Sequence, residues 1–98
     1  MTITALLELQ ITPESVDHAP AVLHETLTAT RAFDGCLGVD VLVDVDDPTR
    51  IVVHERWAST EQDDAYRAWR ATPDGASPLG SILAAPPRLT RYRQAADV

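Results

Sequence analysis

From Ile3 to Ile11 the odd positions are Ile3, Ala5, Leu7, Leu9 and Ile11, while Thr4, Glu8 and Gln10 fall on even ones. That period of two predicts a first strand with one apolar face. Thr12-Pro13-Glu14-Ser15 then puts a capping residue before a proline and an acid, the chemistry of a helix start. Val16, Pro20, Leu23, Leu27 and Thr30 follow at spacings of three and four, so the first helix is expected over about Pro13–Ala32, with a kink at Pro20.

Phe33-Asp34-Gly35 ends that helix, and Leu37, Val39, Val41, Val43 and Val45 alternate with Gly38, Asp40, Leu42 and Asp44 as a second strand. Asp46-Asp47-Pro48-Thr49 is turn chemistry, and Ile51, Val53, Glu55 and Trp57 then alternate with Val52, His54, Arg56 and Ala58. Strands two and three therefore read as a hairpin. Ser59 with Gln62 forms a capping box for a second helix ending near Thr72, whose inward stripe holds Ala65, Tyr66, Trp69 and Thr72 and which Asp63 and Arg67 support as an i,i+4 pair. A loop at 73–78, a helical turn at about Leu79–Ala84 and a last strand at Leu89–Arg93 complete the chain, with frayed residues beyond Gln94.

The order β-α-β-β-α-β predicts an α+β, ferredoxin-like fold: an antiparallel sheet with both helices on one face. With 98 residues the chain is expected to be a single domain, its core spanning about residues 3–93. The odd strand positions would face the helices, leaving Glu8, Gln10, Asp40, Leu42, Asp44, Val52, His54 and Arg56 on the other side. That side is either solvated or packed on a second copy of itself. Leu6, Leu42, Val52 and Tyr92, interleaved with the charges, favour a homodimer, since the open face would otherwise be a large apolar patch.

Charge narrows the partners. Eight Lys+Arg against fifteen Asp+Glu give −7, and every one of the eight is arginine, so the broad basic surface needed for nucleic acid is missing. The same excess of acid argues against anionic membranes, and no apolar run reaches the roughly 20 residues of a membrane span. The first residues lack the basic stretch of a secretory signal, and Cys36 is the single cysteine, so no intrachain disulfide can form and a cytoplasmic setting is expected. Cys36 itself reads as a small buried apolar residue.

Several residues carry candidate chemistry. Glu55 falls on the helix-facing alternation between Val53 and Trp57, and a carboxylate there must be paired or protonated. It is either a proton acceptor for a phenol or a structural acid that holds a helix or loop in place. Tyr66 is a candidate hydrogen-bond partner for a phenol or quinone oxygen, or a packing residue. Trp57 and Trp69 are candidates for stacking on a flat ligand, against plain core packing. His24, one position off the apolar stripe of helix one, edges a pocket or sits in solvent. Arg91 and Arg93 share the parity of Leu89 and reach inward or pair at the surface. No His, Cys, Asp and Glu spacing suggests a metal, and no Gly-rich phosphate loop occurs.

Ile11-Thr12-Pro13-Glu14, Thr30-Arg31-Ala32-Phe33-Asp34-Gly35-Cys36-Leu37, Asp44-Val45-Asp46-Asp47-Pro48 and Val53-His54-Glu55-Arg56-Trp57-Ala58-Ser59, in that order and spacing, resemble the antibiotic biosynthesis monooxygenase family. Its members carry Gly-Cys at the start of strand two and Glu-x-Trp on strand three, and the likeness runs from about Ile3 to Tyr92. The resemblance implies a dimeric α+β barrel with a pocket between helices and sheet in each subunit. It also implies a cofactor-independent oxygenase that acts on a small or polycyclic aromatic phenol or quinol with O2. Glu55 and Tyr66 would then handle protons, and Trp57, Trp69 and His24 would bind substrate. Haem-degrading members use a histidine on helix two and an asparagine on strand one. This chain has Tyr66 at the first place and no asparagine anywhere, so no cofactor is expected. The same departures motivate an alternative, a dimeric small-molecule-binding or partner-binding module without chemistry.

Overall fold

The computed structural model describes residues 1–98. β1 (Ile3–Gln10), β2 (Cys36–Val43), β3 (Arg50–Trp57) and β4 (Arg88–Arg93) form one antiparallel sheet in the order β2-β3-β1-β4. α1 (Ala19–Ala32) and α2 (Thr60–Arg70) pack on its odd-numbered side, which gives the expected α+β, ferredoxin-like arrangement. Parity decides burial: Ala5, Val53 and Trp57 are completely buried, and Leu9, Ile51 and Glu55 nearly so. The register Ala5↔Glu55 and Leu7↔Val53 stacks these residues under the helices.

The core has two parts. Leu23 and Leu27 of α1 cover Leu9, Ile11, Val39, Ile51 and Val53, and Ile82 from the turn at Pro78–Ile82 closes that end. Tyr66 of α2 covers Ile3, Ala5 and Trp57.

Helix one differs from the sequence expectation. Pro13–Ser15 form only a 3-10 turn, and α1 starts at Ala19, so Pro20 lies in its first turn and not at a kink. The reason is the missing N–H of Pro20, which costs nothing where helical N–H groups have no intrahelical acceptor. Thr12 caps nothing with its side chain; its hydroxyl donates to Ser15 Oγ at 2.6 Å. β2 also stops at Val43, two residues early, because the Asp44 and Asp47 carboxylates accept from Asp46 N and Thr49 N and start the turn. The Thr49 hydroxyl and amide hold the Asp47 carboxyl below its usual range. At α2, Ser59 Oγ accepts from Gln62 N, but the Gln62 amide bonds the Ser59 hydroxyl and Asp34, so only half of the reciprocal cap forms.

Two glycines are dictated by space and backbone. Gly35 has φ +92 in the tight link between α1 and β2, a left-handed conformation that side chains disfavour. A Cβ on Gly75 would lie 1.9 Å from the Trp69 carbonyl oxygen, so only glycine lets the loop after α2 fold back onto that helix.

The even-numbered face of the sheet carries no helix. Leu42 and Tyr92 stand about half exposed there, at 53% and 50%. Polar groups meet there across neighbouring strands of the same chain, His54 Nδ1 and Asp40 at 3.9 Å and Arg88 and Glu8 at 3.7 Å. These are direct cross-strand neighbours in the ladder, which is why they meet.

Candidate functional site

Between the sheet and the two helices lies a cavity of about 200 Å³. Leu7, Val53 and Glu55 form its floor, Leu23, Thr26 and Leu27 its α1 wall, and Tyr66, Arg67 and Arg70 its α2 wall, with Gly75, Ser77 and Leu79 closing the rim. A floor that is aliphatic apart from Glu55 and a polar α2 wall follow from sequence: β1 and β3 alternate with period two, whereas Tyr66 and Arg70 stack one turn apart on α2 with Arg67 beside them.

Glu55 is 1% exposed, and Oε1 accepts two hydrogen bonds, from Arg67 Nη2 at 2.6 Å and from Trp57 Nε1 at 3.0 Å. Oε2 has no partner in the protein. Arg67 continues to Asp63 Oδ1 at 3.0 Å, and Asp63, fully buried, takes Arg91 Nη1 on Oδ2 at 3.0 Å. Arg91 also reaches Asp64 at 2.6 Å; its bonds to Asp64 and then Asp63 raise its proton affinity above that of ordinary arginine. The chain Glu55–Arg67–Asp63–Arg91 thus joins β3, α2 and β4. The i,i+4 pair Asp63 and Arg67 expected from sequence is formed, with Asp63 fully buried, and of the two strand-four arginines Arg91 is the one that reaches it.

A second network surrounds Tyr66. Its hydroxyl lies 2.7 Å from Thr30 Oγ1 and accepts from Arg70 Nε at 2.8 Å. Arg70 also donates to Thr26 O at 2.8 Å, Thr30 Oγ1 at 2.9 Å and Gly75 O at 3.2 Å, all neutral oxygens. Arg67 and Arg91 neutralise acids, but Arg70 has no carboxylate partner, so it leaves the cavity wall with a net positive group. One buried side-chain atom has no hydrogen-bond partner: the hydroxyl of Thr26.

Of the residues expected from sequence, Glu55 and Tyr66 are brought together in this cavity; Trp57, Trp69 and His24 are not among its lining residues. Trp57 is buried beneath Phe33 and Tyr66, its ring 4.8 Å from that of Tyr66, and its indole N–H holds Glu55 in place. Trp69 packs on Phe33 at 5.5 Å, with the Arg70 guanidinium 4.9 Å over its ring. His24 is exposed and borders a second groove of about 280 Å³ between α1 and the β2 edge of the sheet, lined by Pro20, Leu23, Leu27, Arg31, Val41, Val43 and Ile51. One helical position from Leu23 is about 100° of rotation, enough to remove it from the cavity. Arg70 and Thr26 are not singled out by the sequence, and Thr30 only as part of the stripe of helix one; the spacing Tyr66 to Arg70, i to i+4, is the available signal for the first. No group of three or more His, Cys, Asp or Glu side chains converges to hold a metal ion. Cys36 packs against both core clusters, and burial pushes its thiol up from the ordinary value, so it carries little thiolate near neutrality.

Replacing Arg67 by Met should leave the Glu55 charge with only an indole N–H. Losing one partner of a buried pair costs roughly 3–5 kcal/mol, and the low end, about 3 kcal/mol, is expected because Arg67 keeps a quarter of its side chain exposed. In urea unfolding, the Glu55→Gln/Arg67→Met double variant should be more stable than the sum of the single losses requires; strict additivity would show that the two residues are not coupled.

The model of the family described as antibiotic biosynthesis monooxygenase matches residues 2–75. Among solved structures, Rv0793 from Mycobacterium tuberculosis superposes with a TM-score of 0.78 at 23% identity, covering 99% of this chain and 98% of that one. A conserved protein from Methanosarcina mazei Go1 gives 0.82 at 18% identity over 97% and 94%. A structure described as an antibiotic biosynthesis monooxygenase gives 0.79 at 21% identity over 95% and 98%. No curated protein matches the chain. At these identities the neighbours establish the fold, and the family model, which spans most of the sequence, establishes membership: the chain belongs to the antibiotic biosynthesis monooxygenase family.

Proposed function

We propose that the cavity binds a phenol of one or two fused rings and that the protein oxygenates it with O2 without a bound cofactor. Family membership supports a monooxygenase-type role. The observation that carries the finer reading is Glu55: a buried carboxylate lining a partly aliphatic cavity, with both hydrogen bonds on Oε1 and Oε2 left to accept a proton. The ring size follows from volume. An apolar cavity of about 150 Å³ takes benzene, and drug-sized ligands fill roughly 300–1,000 Å³. A space of about 200 Å³ lies near the first value, which favours small phenols over larger polycycles.

In this reading Glu55 takes the proton of the ring hydroxyl. The resulting anion is stabilised by the positive Arg70 guanidinium, which Tyr66, Thr26, Thr30 and Gly75 already hold in place. The electron-rich ring passes one electron to O2, and the radical pair joins to form a C–O bond at a ring carbon. Loss of that carbon's hydrogen breaks the O–O bond. The outer oxygen leaves as water with the ring proton and the proton held by Glu55, and a quinone remains, so phenol plus O2 balances quinone plus water. Trp57 serves by fixing Glu55, not by stacking on the substrate.

With 1-naphthol in an oxygen electrode, the wild type should consume O2, and Glu55→Gln should lower kcat by about 10²- to 10⁴-fold, the usual worth of a general base, while binding changes little. Binding without O2 uptake by the wild type, as in a non-catalytic binding module, or equal turnover without O2, would contradict the oxygenase reading.

The same proposal has the protein work as a homodimer in the cytoplasm, closed through the bare sheet face. The half-exposed Leu42 and Tyr92 support that closure, and the in-chain pairing of His54 with Asp40 and Arg88 with Glu8 leaves apolar contact as its main attraction. Sedimentation should show a wild-type dimer at micromolar concentration and a Leu42→Asp monomer, because an unpaired buried carboxylate costs roughly 3–5 kcal/mol. A monomeric wild type, or a Leu42→Asp protein that dimerises equally well, would remove this interface.

A further inference from the structure

The groove between α1 and β2 differs in charge from the protein that holds it. Pro20, Leu23, Leu27 and Arg31 line it from one face of α1 at spacings of three and four, and Val41 and Val43 line it from β2. From Pro20 to Arg31 this is roughly 16 Å of helix by the standard rise per residue. Its space of about 280 Å³ approaches twice the roughly 150 Å³ that takes benzene, and its body is aliphatic. Fifteen acids give the chain a charge of −7, yet none of them lines this groove. Its only polar side chains are His24 and Arg31.

Arg31 is held where an anion would meet it. Its Nη2 donates to the Val39 carbonyl at 3.1 Å, which ties the guanidinium across the end of the groove from α1 to the edge strand of the sheet. A basic residue in the last turn of a helix commonly serves that helix's own carbonyls, but here the bond goes to β2. A carbonyl accepts a hydrogen bond without cancelling the charge, and Arg31 forms no ion pair within the chain. One of its five N–H groups is used in this way, and the others are left to a ligand or to water.

We infer that this groove is a second binding site, for a free medium-chain carboxylic acid, with the carboxylate on Arg31 and the chain laid along Leu27, Leu23, Val41 and Val43 toward Pro20. An aliphatic trough with one fixed cation at its end matches an aliphatic chain with one anion at its end. The source is a free acid and not a bilayer, because anionic headgroups repel a surface of net charge −7. The site stands apart from the aromatic one: Leu23 and Leu27 are the only side chains that line both spaces, and at 4% exposure each they form the wall between them. The inference therefore does not rest on the oxygenase reading.

Three ligands of one chain length separate shape from charge: octanoate, 1-octanol and octylammonium, each titrated into methyl-labelled protein and followed by NMR. The net charge of −7 alone would favour octylammonium. Octanoate should nevertheless bind about three- to fivefold more tightly than 1-octanol, the upper worth of an ion pair on an exposed arginine, and octylammonium should bind most weakly. Methyl shifts should centre on Val41 and Val43 and leave Leu7 and Leu79 unmoved. Arg31→Gln, whose amide can still donate to the Val39 carbonyl, should lower octanoate to the level of 1-octanol and leave 1-octanol as it is. Val43→Asp, at a position 52% exposed where the fold tolerates a charge, should weaken octanoate more than 1-octanol. Octylammonium bound as tightly as octanoate, an Arg31→Gln protein that keeps the octanoate preference, or shifts centred on Leu7 and Leu79 would overturn the site, as would the absence of shifts with all three ligands.

Discussion

Glu55 brings a carboxylate onto the side of the sheet that the helices cover, and its burial shapes everything around it. A charge in that position must be paired, because desolvating it alone costs far more than a fold of this size can spare. Arg67 pairs with it, Asp63 balances Arg67, and Arg91 balances Asp63, so one buried acid commits residues from β3, α2 and β4 to a common line. The same line holds α2 at the height where Tyr66 meets Trp57 and Thr30. The cavity is the space left between these fixed parts and the aliphatic wall of α1.

That cavity divides by chemistry. Its aliphatic lining comes from strand parity and the Leu23–Leu27 stripe, and it suits a flat ring. Its polar atoms belong to groups held by other groups: Glu55 by Trp57 and Arg67, the Tyr66 hydroxyl by Thr30 and Arg70. Such support keeps Glu55 Oε2 and the positive Arg70 in position before any ligand arrives, which is what a site that stabilises a developing anion requires.

Much of this was legible in the sequence because it rests on periodicity. The alternation from Ile3 to Ile11 and from Ile51 to Trp57 gave the strands, their parity placed Glu55 inside, and the stripe of helix two placed Tyr66 there as well. Helix one was read too long because the spacing of Val16 and Pro20 fits a helix whether or not the chain is helical at Ser15; proline's missing donor, not periodicity, sets the start at Ala19. Parity and helical stripe turn Trp57 and Trp69 inward and put His24 at the edge of helix one, but neither says whether an inward side chain ends in a core or at a cavity. Arg70 and Thr26 are hidden for a related reason. An arginine without an acid and a threonine without a partner are defined by what surrounds them in space, and no spacing along the chain encodes that.

The central claim is that the aromatic ligand sits between the sheet and both helices, against Leu7 and Leu79, and not in the groove between α1 and β2 beside His24. Intermolecular nuclear Overhauser effects from bound 1-naphthol to methyl-labelled protein test it directly. Contacts to the methyls of Leu7, Val53 and Leu79 are expected; contacts confined to Val41 and Val43, with none to Leu7 or Leu79, would contradict the account.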